Sequence, residues 1–125
     1  MAREATIYVV EDDDVVRDSI RALLESDGFT VVDFASCADF LRHARPDGRS
    51  CIVLDVHMPG MSGLELLDRL RRENMSILAI VIAGKPDPAI RRAVDRAGAR
   101  LLVKPFTGSE LVGAIEEVLR GGQLQ

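Results

Sequence analysis

Cys51-Ile-Val-Leu-Asp55, four apolar residues running into an aspartate and followed at once by Val56-His-Met-Pro-Gly-Met-Ser-Gly63, decides the fold. An apolar run this short, closed by Pro and Gly, reads as a strand covered on both faces, the pattern of a parallel sheet. Moving outward, Thr6-Ile-Tyr-Val-Val10 runs into Glu11-Asp12, and Leu101-Leu-Val103 runs into Lys104. Thr30 to Phe34 and Ile77 to Ile82 complete five short β-branched or aliphatic runs. Three of the five end in charged groups, and side by side in a parallel sheet they would bring those groups to one edge.

Between the strands, apolar residues recur at helical spacing: Val16, Ile20, Leu23 and Leu24; Cys37, Phe40, Leu41 and Ala44; Leu64, Leu67 and Leu70; Ile90, Ala93, Val94 and Ala97; Leu111, Ala114, Ile115, Val118 and Leu119. The punctuation agrees. Gly28 follows the first helix, Asp87-Pro88 caps and opens the fourth, and Gly98 closes it. Five strand–helix units predict an α/β fold, a flavodoxin-like doubly wound five-stranded parallel sheet in the order 2-1-3-4-5 with five helices. One domain over residues 1–120 is expected, with 121–125 a C-terminal tail or the start of a linker.

In such a sheet, ligands bind beyond the carboxyl ends of the strands where the strand order reverses, here between the first and third strands. Those are the strands ending in Glu11-Asp12 and Asp55, so topology and chemistry select one place. Three carboxylates packed there repel one another, and a hard cation relieves the repulsion. Mg²⁺ suits a site of a few carboxylates, waters and phosphate oxygens. Asp55 beside such an ion is placed to act as a nucleophile toward phosphorus, giving an acyl phosphate, with Lys104 pairing the new anion.

The bulk properties narrow the field. With 125 residues and 47% hydrophobic composition, the chain can bury a core as one soluble domain. A formal charge of −4 argues against direct nucleic-acid binding, which needs a basic surface. No apolar run approaches the roughly 20 residues of a membrane span, and the N-terminus lacks a signal-peptide pattern; a cytoplasmic location is expected. The two cysteines, Cys37 and Cys51, fit small core residues rather than a disulfide or metal cluster.

V-V-E-D-D at Val9 to Asp13, L-D-V-H-M-P-G-M-S-G at Leu54 to Gly63 and K-P-F at Lys104 to Phe106 together resemble the response-regulator receiver domain of two-component signalling, from about Thr6 to Arg120. The subgroup it looks nearest is the nitrogen-fixation and nodulation type, from Ile7-Tyr-Val-Val10, Val16-Arg-Asp-Ser19 and the Met61-Ser-Gly-Leu-Glu-Leu-Leu67 run. The resemblance implies that Asp55 is the phosphoacceptor, that Asp12 ligates Mg²⁺ directly, Glu11 through water, and the His57 backbone carbonyl as a further ligand. It implies that Lys104 is the invariant lysine and that the Lys104–Pro105 peptide is cis. A sensor histidine kinase is the implied partner, with an output domain or partner protein downstream. The protein would catalyse its own phosphotransfer and dephosphorylation.

Two positions depart from the family. Ala83 stands where such receivers usually carry Thr or Ser, and Leu101, three residues before Lys104, stands where they carry an aromatic residue. Hydroxyl and aromatic ring are the two halves of the usual conformational relay. A hydrogen bond to a charged partner contributes on the order of 1.5–3 kcal/mol, whereas turning a two-state switch from 1:99 to 99:1 takes roughly 5.5 kcal/mol. Phosphorylation with weakened or rerouted switching is therefore expected. Lys85 could reach the phosphoryl group in compensation but more simply faces solvent, and Pro86 and Pro88 stiffen the loop.

Other residues have plainer readings. Asp12 or Asp13 can cap the first helix, the His57 and His43 side chains face solvent, and Gly60 and Gly63 let backbone pass close to the site. Arg91, Arg92, Arg96 and Arg100, with Glu110, Glu116 and Glu117, form either a solvated face or, as the resemblance implies, a homodimer or docking surface of the fourth helix, fifth strand and fifth helix. Two alternatives stand beside the phosphorylated receiver. One is a phosphorylation-independent receiver-like interaction module. The other is a small haloacid-dehalogenase-like phosphohydrolase, disfavoured because His57 occupies the place of its second aspartate and no cap domain fits the length.

Overall fold

The computed structural model describes residues 3–46, 49–75 and 77–123. Its elements alternate strictly: β1 (Thr6–Val10), α1 (Asp14–Ser26), β2 (Thr30–Phe34), α2 (Cys37–His43), β3 (Ser50–Asp55), α3 (Gly63–Arg72), β4 (Leu78–Ala83), α4 (Pro88–Ala97), β5 (Arg100–Val103) and α5 (Gly108–Gln123). All four strand pairings are parallel, in the order β2-β1-β3-β4-β5.

Alternation along the strands divides the core into two layers. Ile7, Val9, Cys51, Val53, Ile80, Ile82 and Leu102 face α1 and α5, packing on Ile20, Leu24, Leu111, Ile115 and Leu119. Tyr8, Val10, Ile52, Leu54, Ala79, Val81 and Ala83 face the other helices, packing on Phe40, Leu66, Leu67, Leu70, Ile90 and Val94. Every residue of β3 is buried, as its unbroken apolar run requires. Cys37 and Cys51 are buried free thiols, which burial pushes up to about 11 and about 12 respectively. They belong to the core rather than to any thiolate chemistry.

Local signals set the helix ends. The Asp13 side chain accepts from the Val16 N–H and the Asp87 side chain from the Ile90 N–H; Ser62 and Glu65 form a reciprocal capping box. Gly98, at φ 68°, closes α4 in the left-handed region. Strand ends differ from the expected ones by a residue or so. β3 takes in Ser50 and Asp55, β5 begins at Arg100, and β4 runs from Leu78 to Ala83. Asp55 and Ala83 are thus held by strand backbone rather than by loops. α5 runs on through residues 121–123, part of the expected tail, while Leu124 and Gln125 lie outside the described residues.

Candidate functional site

The site begins where the ladders stop. β1 and β3 pair in register as far as Val10 opposite Leu54, so Glu11 and Asp55 are the next residues on adjacent strands. β4 pairs with β5 as far as Ala83 opposite Val103, and the Lys104 N–H donates to the Ala83 carbonyl at 2.9 Å. That bond fixes the turn from which Lys104 reaches back across the sheet edge. The Lys104–Pro105 peptide is cis, as the resemblance implied.

Lys104 Nζ lies 2.6 Å from Asp55 Oδ2, and the His57 backbone N–H donates to Asp55 Oδ1 at 2.9 Å. The Asp55 side chain is 7% exposed against 46% for Lys104, so the ammonium reaches inward from solvent. Its pKa is raised, chiefly by the hydrogen bond with Asp55 and further by the charges of Asp55, Glu11 and Asp12. Glu11 is also buried, and its carboxylate accepts from the Asp13 N–H at 3.2 Å. Burial pushes the Glu11 carboxyl upward; the Asp12 side chain and the Asp55 charge push the same way, against the Asp13 N–H and Lys104. Asp12 is exposed.

Sequence-derived expectations for these groups are met unevenly. Glu11, Asp55 and Lys104 interact directly or through their charges, with Asp12 beside them. His57 contributes its backbone while its side chain is exposed, and His43, the last residue of α2, is exposed as well. Gly63 makes the close approach predicted for both glycines: a Cβ there would stand 2.5 Å from the Asp55 carbonyl oxygen and 2.6 Å from Leu54 Cδ1. Gly60 has open space around it and is needed instead for its φ of 75°. Ala83 is 1% exposed and Leu101 is half-buried, both on the layer that carries Ile90 and Val94.

The acidic residues of α5 have partners within the chain. Glu117 pairs with Arg100, Glu116 with Arg3, and Glu110 accepts from the Thr107 N–H at the start of α5. Arg91, Arg92 and Arg96 have no ion partner among the described residues.

A buried aspartate, an adjoining pair of acids and a lysine lie at the switch point of a 2-1-3-4-5 sheet, and residues 7–116 match the family model of the response regulator receiver domain. The chain belongs to that family. It is 40% identical over 120 residues to the transcriptional regulatory protein FixJ of Azorhizobium caulinodans, covering 95% of this chain and 57% of that protein. It is 42% identical over 113 residues to nodulation protein W of Bradyrhizobium diazoefficiens, covering 90% of this chain and 50% of that one. Both relatives fall in the subgroup that the sequence motifs indicated. The crystal structure of FixJ-N matches with a TM-score of 0.85 at 34% identity, over 94% of this chain and 95% of that one. The receiver domain therefore spans about half the length of the curated relatives it matches.

The donor chemistry of this receiver domain suits a hard dication: oxygen ligands only, with excess negative charge around a buried Glu11. The carboxylates are not gathered into a closed cage. Among the described residues no three His, Cys, Asp or Glu side chains meet at a ready metal position, and the Lys104 ammonium holds Asp55 instead. One contact at the site was not foreseen from the sequence: Arg17, on α1, donates to the Glu11 carbonyl.

Proposed function

We propose that this receiver takes a phosphoryl group onto Asp55 from the phosphohistidine of a sensor histidine kinase. The observation that carries the proposal is the buried Asp55 carboxylate, hydrogen-bonded to Lys104 at 2.6 Å beside the buried acid Glu11. An Asp55 oxygen forms the new bond to phosphorus as the bond to the donor imidazole breaks, and the electron pair leaves with the imidazole. The product is an acyl phosphate, which water later cleaves to inorganic phosphate and the restored carboxylate. Lys104 turns from Asp55 to the phosphoryl oxygens, keeping a cation where negative charge accumulates. Mg²⁺, held by Glu11, Asp12, Asp55 and the His57 carbonyl, would neutralise charge on the transferring group.

Switching is atypical in this proposal. Ala83 offers the phosphoryl group no hydroxyl, and Leu101 offers no aromatic ring to rotate. Phosphorylation consequently drives a weakened response of α4 and of the 83–88 loop. A large cooperative shift of that region in NMR spectra with an acyl-phosphate mimic would contradict this part. The output is a domain or partner protein downstream of residues 1–120, by analogy with the transcriptional regulators the chain resembles, acting in the cytoplasm. A homodimer through α4, β5 and α5 would use the α4 arginines, since the α5 acids already have partners. Ala83 and Leu101 specifically favour a second reading, an interaction module that works without phosphorylation.

Intact-mass spectrometry after acetyl phosphate and Mg²⁺ separates the two. A labile phosphate adduct on the wild type, absent in Asp55→Asn, is the expected result. A folded, Mg²⁺-binding wild type with no adduct would transfer the proposal to the interaction module.

A further inference from the structure

Arg17 lies one turn into α1, and its guanidinium reaches back to the end of β1. Nη1 donates to the Glu11 carbonyl at 2.8 Å, Nη2 lies 2.6 Å from Asp14 Oδ1, and Nε lies 3.6 Å from Asp33 Oδ2 on β2. The side chain is 16% exposed, the least of any arginine in an ion pair here. Its target has a structural reason. Residue 11 is the first past the paired register of β1, its N–H is taken by the Phe34 carbonyl at 3.1 Å, and its carbonyl needs a donor at a buried sheet edge. The peptide plane joining Glu11 to Asp12 contains that carbonyl, and its orientation governs the angles at which both side chains leave the backbone.

We infer that Arg17 is a positioning residue of the phosphorylation site, fixing the Glu11–Asp12 peptide so that both carboxylates are presented to a divalent cation beside Asp55. The inference rests on the receiver function proposed above and adds a residue to it. Geometry and charge pull in opposite directions at Arg17, which makes the two separable. The planar fork of arginine can hold a carbonyl and two carboxylates together, whereas lysine supplies the same charge from a single point. As a mere cation near the site, Arg17 would oppose Mg²⁺ binding, and its removal would tighten the ion. As a positioner, it favours binding, and loss of the fork weakens the ion even when the charge stays.

Isothermal titration calorimetry with Mg²⁺ on the wild type, Arg17→Lys, Arg17→Met and Arg21→Met reads this directly. Arg21 is the control, because it shares Asp33 and pairs with Glu25 without contacting Glu11. Arg17→Lys is expected to weaken Mg²⁺ about tenfold, the scale of an outer-shell partner, while Arg21→Met binds as the wild type does. At saturating Mg²⁺, Arg17→Lys should recover the wild-type acetyl-phosphate adduct. Wild-type affinity in Arg17→Lys would overturn the inference. Should that variant not fold, Arg17→Met decides: weaker binding supports positioning, unchanged or tighter binding overturns it. A wild type that neither binds Mg²⁺ nor forms an adduct would instead remove the receiver proposal itself.

Discussion

The two ends of the sheet both carry charge clusters, and they differ in burial and in balance. At the amino-terminal edge Arg3 pairs with Asp27 and Glu116 at 2.6 and 2.9 Å, all three side chains 34–39% exposed, with the guanidinium 4.4 Å from the Phe29 ring centroid. At the carboxyl edge Glu11, Asp12 and Asp55 share Lys104, and two of these acids are buried. The first cluster ties the start of β1 to α5 and to the turn before β2, and solvent weakens its charges. The second holds two carboxylates away from water without balancing the cluster's charge, an arrangement that gains from an added cation. Charge alone does not distinguish architecture from chemistry in this molecule; burial with imbalance does.

Substitutions at the two ends should therefore separate. Lys104→Met should slow formation of the acetyl-phosphate adduct by on the order of 10²–10³, the effect of losing one preorganised charge-stabilising donor, as followed by intact mass against time. Gly63→Ala should destabilise the fold by about 1–3 kcal/mol in urea unfolding, since its Cβ would stand 2.5 Å from the Asp55 carbonyl oxygen, strand backbone that yields less readily than a side-chain end. Equal stability of that variant would mean that α3 is free to withdraw from the site.

Glu11→Gln tests the imbalance itself. The folded-state pKa of Glu11 is raised, so the fold favours the neutral carboxyl; that stabilisation is complete below the ordinary carboxylate value and is lost as pH rises through the raised value. At pH 7 without Mg²⁺, Glu11→Gln should melt higher than the wild type. The gain should vanish in acid, and Mg²⁺ should stabilise the wild type more than the variant. The smallest effect belongs to Arg3→Met, expected to cost less than about 1 kcal/mol and to leave the adduct unchanged. A loss of phosphorylation there would join the two ends and break the comparison.

Much of this was legible in the sequence because its signals are local. Continuous apolar runs gave β3 and β4, and helical spacing and caps such as Asp87-Pro88 gave the helices; the order 2-1-3-4-5 came from likeness to the flavodoxin-like fold, since parallel topology alone admits other orders. Strand-end charges then located Glu11, Asp12, Asp55 and Lys104. Contacts made by long side chains across elements were not legible. The reach of Arg17 to Glu11, and the intrachain pairing of Arg100 with Glu117, depend on the phase of α1 and α5 against the sheet, which spacing within one helix does not fix. Glycine was partly legible: a turn of the Pro59-Gly60 type signals both glycines, but only the packed structure separates the φ requirement at Gly60 from the steric one at Gly63.

The central claim is that one buried carboxylate, Asp55, and none of the exposed acids around it, carries the phosphoryl group. Hydroxylamine trapping after acetyl phosphate and Mg²⁺, followed by peptide mapping, tests it directly, because an acyl phosphate is converted to a hydroxamate at the modified residue. A hydroxamate confined to Asp55 is the predicted result; one on Asp12, Asp13 or Glu11, with Asp55 unmodified, would contradict the account.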